Sequence, residues 1–205
     1  MVQIQRLVRA VPFALLLFTL GGGTAAAEPV AYKVDSSHSA VSFTIRHFVS
    51  NVPGRFKDFE GVIQHDRQKP EASSVSFTVQ AGSVDTDNNE RDEHLRSSDF
   101  FDVQKFPTLT FTSTSAKAKS AYELEVTGDF TLHGVTRRIT IPVELLGTMK
   151  GPHGEKAGFE ATFTVNRKDY GIVWNRILDA GPMLGDEVRI TVSVEASRLE
   201  AQPGK

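Results

Sequence analysis

The chain contains no cysteine, and this absence excludes several classes of protein at once. Without cysteine there is no disulfide framework, no lipid-modified N-terminal cysteine and no thiol nucleophile. The Gly-x-Ser-x-Gly element of many serine hydrolases is also missing. No stretch of lysine and arginine forms a basic stripe, and the formal charge is -2 at pH 7. Such a surface argues against a nucleic-acid partner.

Metal-ligand spacings are scarce as well. The segment Asp85-Thr86-Asp87-Asn88-Asn89 begins like a calcium loop, but Glu90 stands where that loop needs glycine. Arg96 stands where the loop needs a bidentate glutamate. The six histidines are scattered, and no two have the spacing that places both on one helix face. We therefore expect no metal site and no cofactor.

The chain has no apolar run of the ~20 residues that a membrane-spanning helix needs. Its N-terminus instead shows Arg6 and Arg9, an apolar run over residues 11–20 and three alanines at 25–27. This order is typical of a cleavable export signal. We predict a signal peptide over residues 1–27, followed by one domain over residues 28–205.

What the sequence does contain is alternation of apolar and polar residues. It begins with Val41, Phe43, Ile45 and His47 and returns in six further segments. A period of two gives each strand one apolar and one polar face. We predict a mainly all-β fold of about eight antiparallel strands that curl into a barrel to hide the apolar face. An eight-stranded barrel is either filled by its own side chains or holds one ligand, and the alternation leaves both open.

Turn residues divide the first strands. The sequence Asn51-Val52-Pro53-Gly54 favours a hairpin turn between strands at 38–49 and 55–65, because proline presets φ and glycine tolerates left-handed geometry. Within the second strand the alternation changes phase near Gly61, which predicts a β-bulge there.

One short helix is predicted at residues 88–97. Asp87 followed three residues later by Glu90 resembles a capping box, and Asp92 with Arg96 has the spacing of a helix-face ion pair. The segment 168–185 then interrupts the strand pattern and is unusually apolar for a loop. Two interpretations stay open: a lid over the barrel mouth, or a loop that caps the core.

Among the histidines, His47 differs because the alternation places it on the hidden face. It is either a rim or core histidine or a ligand contact; His94 and His133 carry a similar ambiguity. His38, His65 and His153 fall at strand ends or turns, where we expect solvated rings.

Short motifs in a fixed order make the chain resemble a known family. They are Tyr32-Lys33-Val34-Asp35, His38-Ser39, Phe43, the His47 strand, Gly54-Arg55-Phe56, Ser83-Val84-Asp85-Thr86, Asp92-Glu93-His94-Leu95-Arg96, Asp99-Phe100-Phe101-Asp102, Phe106-Pro107, Gly128-Asp129-Phe130-Thr131-Leu132-His133-Gly134, Asn166-Arg167-Lys168-Asp169-Tyr170-Gly171 and Asp186-Glu187-Val188. This set is similar to that of the YceI-like family of bacterial periplasmic proteins, although Tyr170 replaces a common phenylalanine.

The resemblance implies a lipocalin-like barrel with a helix beside it, which holds a long isoprenoid or similar lipid tail in its lumen. It further implies a periplasmic location, a tendency to dimerise, a role in isoprenoid transport, storage or the stress response, and no established enzymatic activity. Its motifs identify no catalytic residues.

If the barrel holds a lipid, the inward strand residues and the apolar loop residues are the candidate contacts. We predict that the lipid is contacted by the cavity wall, Phe43, Ile45, Phe77, Phe111, Tyr122, Phe130 and Phe163, and by the mouth, Phe56, Trp174, Ile177 and Met183. His47, with Arg96 or Arg176, is the candidate contact for a polar head group.

Two other function classes remain as alternatives. One is an interaction protein with a filled barrel, whose apolar loop docks a membrane redox partner. The other is an isomerase or hydrolase acting on the bound lipid, which needs a polar dyad inside the barrel. The alternation supplies only His47 there.

Overall fold

The computed structural model describes residues 29–152, 154–178 and 181–200, so the predicted signal peptide lies outside the described residues. Within them the chain forms thirteen strands and one α-helix. Their bounds are β1 Val30–Val34, β2 Ala40–His47, β3 Ser50–Phe56, β4 Phe59–His65, β5 Ser74–Gln80, β6 Val84–Asp85, α1 Asn89–Arg96, β7 Thr108–Ala118, β8 Glu123–Leu132, β9 Val135–Gly151, β10 Gly154–Asn166, β11 Ile177–Leu178, β12 Gly181–Pro182 and β13 Leu184–Arg198. No helix of the described residues has the length and apolar character to span a membrane.

Eight of these strands close into an antiparallel barrel, as predicted. Neighbours around the ring are β1, β4, β5, β7, β8, β9, β10 and β13, and β13 pairs with β1 to complete it. β13 also pairs with β2, which carries β3 and β6 as an extension of the sheet. Burial follows the alternation closely in β8, where every second residue from Leu124 to Leu132 is buried. The period of two therefore identified the inner face correctly.

The first hairpin turns earlier than predicted. Phe48, whose φ is +49°, and Val49 form the turn, and residues 51–54 lie inside β3. Pro53 is tolerated there because β3 pairs on its other side only near its end, through Arg55 and Phe56. The bulge predicted at Gly61 is also absent, since the β4–β5 register runs unbroken through Gly61 opposite Phe77.

The helix forms where predicted, but different contacts hold it. Its N-cap is Asn88, whose side chain accepts a hydrogen bond from the Arg91 amide. Asp87, the predicted cap, instead has a positive φ of 58° and precedes the cap. Asp92 is buried and accepts bonds from Thr86 rather than pairing with Arg96.

The barrel has two distinct ends. At the end we call the helix end, α1 lies beside β6, and the β2–β3 hairpin and residues 167–178 and 181–183 gather around the opening. At the opposite end, which we call the far end, β4 finishes at His65 and the β7–β8 turn spans residues 119–122. The segment predicted as a loop at 168–185 begins inside a 3-10 turn, Arg167–Tyr170, includes the short paired strands β11 and β12, and gives way to β13 at Leu184.

Candidate ligand-binding cavity

A cavity of about 410 Å³ occupies the barrel lumen. Its lining comes from the inner faces of the barrel strands, from β2 and β3, and from α1 and the loops at the helix end. The volume falls within the range of about 300–1,000 Å³ that is usual for small-molecule sites. The barrel is therefore not filled by its own side chains, which was the premise of the interaction-protein alternative.

Glycines on neighbouring strands help to keep this lumen open. Phe43 lies over Gly54, Phe77 over Gly61 and Phe111 over Gly128, so that a methyl group on these glycines would meet ring carbons at 2.3, 2.5 and 2.6 Å. Only a residue without Cβ allows such an approach of ring to backbone. The rings are thereby held against the wall and project less into the lumen.

Most residues predicted to contact a lipid do line this cavity. They are Phe43, Ile45, His47, Phe56, Phe77, Phe111, Phe130, Phe163, Trp174 and Met183. Two do not. Tyr122 is 60% exposed because β8 begins one residue later, at Glu123, so Tyr122 belongs to the turn at the far end. Ile177 is 72% exposed on β11 and does not belong to the cavity lining.

Of the predicted head-group contacts, His47 alone lines the cavity. The guanidinium of Arg96 is occupied elsewhere, donating to the carbonyl oxygens of Gly82 and Val84 at 2.8 Å each. Arg176 is exposed and lies outside the cavity lining. Neither arginine therefore lies in the cavity lining, and a contact of either with a head group stays a prediction.

Polar residues that sequence reasoning missed line the helix end. Arg91 donates through Nε and Nη2 to the Thr86 hydroxyl and carbonyl, both at 2.7 Å. Asp92 completes this network by accepting from the Thr86 amide and hydroxyl. The motif resemblance contained Thr86 and Asp92 but gave no sign that they form one buried unit beside the cavity.

An aromatic cluster covers part of the same opening. The His94 ring meets Trp174 and Phe100 edge to face, at centroid distances of 4.9 and 5.0 Å. Nε2 of His94 lies 2.9 Å from Asp99 Oδ2, which fixes the ring. Trp174 and Ile172 line the cavity, whereas Val173 between them is 64% exposed. The apolar segment thus contributes alternate residues to the mouth.

Arg167 anchors this segment from beneath. It is only 3% exposed and donates to the carbonyl oxygens of Gly185, Ile172 and Trp174. Burial lowers the pKa of Arg167, while its ion pair with Asp186, at 3.3 Å, opposes that change. A buried guanidinium with these partners is a structural clamp that holds Trp174 at the mouth.

His65 is buried at the far end, contrary to the solvated ring predicted. It continues the inward series Phe59, Gly61 and Ile63 along β4, and its ring meets Phe159 edge to face at 5.8 Å. It lines the main cavity and also a second hollow of about 220 Å³ beside the β7–β8 turn. The alternation along β4 was the signal that could have revealed it.

One cluster outside the barrel has the ligand types of a metal site. Ligand atoms of Asp35, His38 and Glu195 lie within 4.8 Å of one another. The ammonium of Lys156 bonds to Glu195 and lies 3.8 Å from Asp35. A lysine cation therefore already balances these carboxylates, and hydrogen bonds from His38 and the Ser37 backbone lower the pKa of Asp35.

The closed antiparallel ring, the short helix α1 at one end and the apolar lumen together define a lipocalin-like β-barrel with an internal cavity. Its sequence identifies the family within this class of barrels. The YceI-like domain matches residues 32–196, and the chain belongs to that family.

Relatives and solved structures agree with this assignment. Protein YceI of Salmonella agona is 45% identical over 187 residues, which cover 89% of this chain and 93% of that protein. The crystal structure of Burkholderia cenocepacia BcnA has a TM-score of 0.73 at 23% identity, covering 80% of this chain and 99% of BcnA. A polyisoprenoid binding domain from Saccharophagus degradans has a TM-score of 0.62 at 15% identity, covering 83% of this chain and 99% of that domain. At these identities the two structures share the fold.

Proposed function

We propose that the protein is a periplasmic, non-enzymatic carrier that holds a polyisoprenoid or similar long-chain lipid, such as a polyprenyl or quinone tail, in its barrel. The observation that carries the proposal is the cavity of about 410 Å³, whose walls are mainly phenylalanine, leucine, isoleucine and valine. Such walls offer a hydrocarbon chain apolar contact and few hydrogen-bonding groups.

The energetics favour a long tail over a small polar guest. Burying hydrocarbon contributes roughly 0.8 kcal/mol per CH2 group. Association costs at least ~4 kcal/mol in lost translation and rotation. A few isoprene units therefore outweigh the cost of association, and affinity should rise with chain length until the lumen is full.

Two further observations support the proposal. The structural neighbour from Saccharophagus degradans is described as a polyisoprenoid binding domain. The N-terminal sequence has the pattern of an export signal, which agrees with the periplasmic location implied by the family resemblance.

Apolar residues at the helix end support transient contact with a membrane. Val49 is 91% exposed and Phe48 40% exposed at the β2–β3 turn, and Ile177 is exposed on the nearby hairpin. The Phe48 amide donates to the carbonyl of Met183 at 3.0 Å, and Met183 lines the cavity, so the β2–β3 turn borders the cavity lining. A mouth rimmed in this way suits removal of a lipid from a bilayer.

The proposal is tested by organic extraction of protein purified from its native host, followed by mass spectrometry, and by titration with labelled polyprenols. In the same titration Ala161→Phe places a ring in the lumen, because Ala161 lines the cavity from β10. Thr164→Phe adds the same ring on the exposed face of that strand and serves as the control.

We expect extracted lipid, polyprenol binding by wild type and the control, and at least about ten-fold weaker binding by Ala161→Phe, since the new ring occupies space that the tail needs. If extraction yields no lipid and polyprenols fail to bind wild-type protein, the carrier function is wrong.

A further inference from the structure

His65 presents a buried polar atom that nothing in the described structure satisfies. The residue is 6% exposed, and its Nε2 has no hydrogen-bond partner among the described residues. Leaving such an atom unpaired is unfavourable, so a native structure needs a reason to retain it. The reason must lie in what occupies the space beside the ring.

The neighbours of the ring determine which role Nε2 has. Nδ1 of His65 lies 3.4 Å from the Ser73 hydroxyl oxygen, which itself accepts from the Asp66 amide at 3.1 Å. Among the described hydrogen bonds the Ser73 hydroxyl proton has no acceptor other than Nδ1, so we assign the hydroxyl as the donor in this pair. Burial lowers the pKa of His65 below its usual 6.5, and the charge of Arg67 lowers it further. The ring is therefore neutral near pH 7, with its remaining proton on Nε2 as a free donor.

Position then restricts the acceptor to the contents of the lumen. His65 is an inward residue of β4, and it lines both the main cavity and the hollow of about 220 Å³ at the far end. That hollow also contains Arg67, Ser120 and the turn residue Tyr122. An isoprenoid tail has no oxygen to offer, so the acceptor belongs to the other part of the lipid.

At the helix end, by contrast, the polar groups have their partners. Arg91 is bonded to Thr86, His94 to Asp99, and Arg167 to three carbonyl oxygens and Asp186. His47 is only half-buried, so water can satisfy it.

We propose that the polar group of the bound lipid lies at the far end of the barrel, where Nε2 of His65 donates a hydrogen bond to its uncharged oxygen, a hydroxyl or a carbonyl. This inference rests on the proposed function and specifies the chemistry of that site. It reverses the orientation expected from His47, with the tail extending toward the helix end.

The direction of insertion agrees with this arrangement. At a membrane surface the head group is the part of the lipid nearest to a protein docked through its helix end. A head that enters first comes to rest deepest, beside His65, and the tail fills the lumen behind it. Such a passage through apolar walls suits a head with one or two uncharged oxygens, because desolvating a charge costs far more.

The test compares two ligands, a polyprenol and the hydrocarbon of the same chain length that lacks only the hydroxyl. We expect wild type to bind the alcohol about ten-fold more tightly than the hydrocarbon. His65→Phe should abolish this preference while it retains affinity for the hydrocarbon. His65→Gln, which keeps an N–H donor, should restore part of the preference. His38→Phe changes an exposed histidine outside the barrel and serves as the control.

A preference that survives in His65→Phe, or that is lost in His47→Phe instead, overturns the inference. If His65→Phe does not fold, nitrogen NMR of wild type decides: the Nε2 resonance of His65 must shift with the alcohol and not with the hydrocarbon. Equal shifts with both ligands, or none with the alcohol, also overturn it. Failure of both ligands to bind wild type contradicts the carrier function itself, so the two failures are distinguishable.

Discussion

Replacing Gly61 with alanine should force the Phe77 ring into the barrel lumen. A Cβ at Gly61 would lie 2.5 Å from Phe77 Cδ2 and 3.2 Å from Val34 Cγ2. Carbon atoms in favourable contact are about 3.5–4.0 Å apart, so the ring must retreat by about 1 Å. It cannot slide along the wall, because it is already stacked on Phe59 at a centroid distance of 5.8 Å.

The magnitude follows from two opposing effects. Overpacking of a closed core costs about 1–3 kcal/mol, whereas alanine in a strand gains roughly 0.5–1 kcal/mol over glycine. The centres of these two ranges leave a net loss of about 1 kcal/mol in the free energy of unfolding. For a domain of this size the midpoint of thermal unfolding should then fall by about 2–4 °C.

Calorimetry on three variants separates this effect from a general cost of alanine. Gly82→Ala is the matched control, since nothing lies within 4 Å of a Cβ built there. Phe77→Leu should relieve the clash, so it should be less harmful with Gly61→Ala than in wild type. If Gly61→Ala and Gly82→Ala unfold at the same temperature, and Phe77→Leu costs the same in both backgrounds, the reasoning is refuted.

Three further results are expected. Arg167→Lys should lower the free energy of unfolding by about 2–4 kcal/mol, because one ammonium cannot reproduce the several hydrogen bonds by which the guanidinium holds the mouth segment. Chemical denaturation measures this change, and an unchanged denaturation midpoint would contradict the role of Arg167 as a clamp. Burial and the hydrogen bond to Glu155 raise the pKa of Tyr32 to about 12. The contribution of Tyr32 to stability is therefore present below pH 10 and is lost as the pH rises from 10 toward 12. The melting temperature of Tyr32→Phe should decline less over that range than the melting temperature of wild type. The hydrogen bond from Lys57 is the largest of the interactions that lower the pKa of Asp85 to about 2. The stability that these interactions contribute is therefore lost as the pH falls from 3.8 toward 2. In an acid titration Asp85→Asn should lose less stability over that range than wild type, and an identical loss in both would count against the pairing.

The sequence was sufficient for features that depend on local pattern. Alternation from Val41 to His47 predicted an inward stripe, and all four members of that stripe line the cavity. The local pattern of residues placed one helix at the correct position, to within one residue at each end, although the predicted cap and ion pair were wrong. Each of these features depends on residues that are close together in the sequence, so a single segment is enough to predict it.

Errors arose where a residue serves a partner distant in sequence. Gly54 was interpreted as a turn residue and Gly61 as a bulge, yet each makes room for a ring on the adjacent strand. The sequence does not show which strand lies beside which, so the two uses of glycine look the same. The predicted ion pair of Arg96 with Asp92 was wrong for the same reason, because the acceptors of Arg96, the carbonyls of Gly82 and Val84, are brought near only by the fold.

For His65, by contrast, the alternation of residues along β4 was sufficient to predict that the side chain is buried. Its place at the end of a strand suggested solvent, but its parity with Phe59 and Ile63 indicated the inner face. The alternation along the strand determines the direction of the His65 side chain, because β4 remains paired with β1 as far as His65, opposite Val30. This pairing keeps the side chain on the inner face.

The last strand, β13, has consequences for the order of events in folding. It pairs with β10 along most of its length, with β2 through residues 184–193 and with β1 through residues 196–198. Until β13 is available, β10 and β1 both present open edges, and β2 with β3 has nothing to join. Closure therefore links the two ends of the domain in a single late step, with contacts of the highest sequence separation in the molecule. A chain built in this way should fold slowly, and it should complete the barrel only after its final strand is available for pairing.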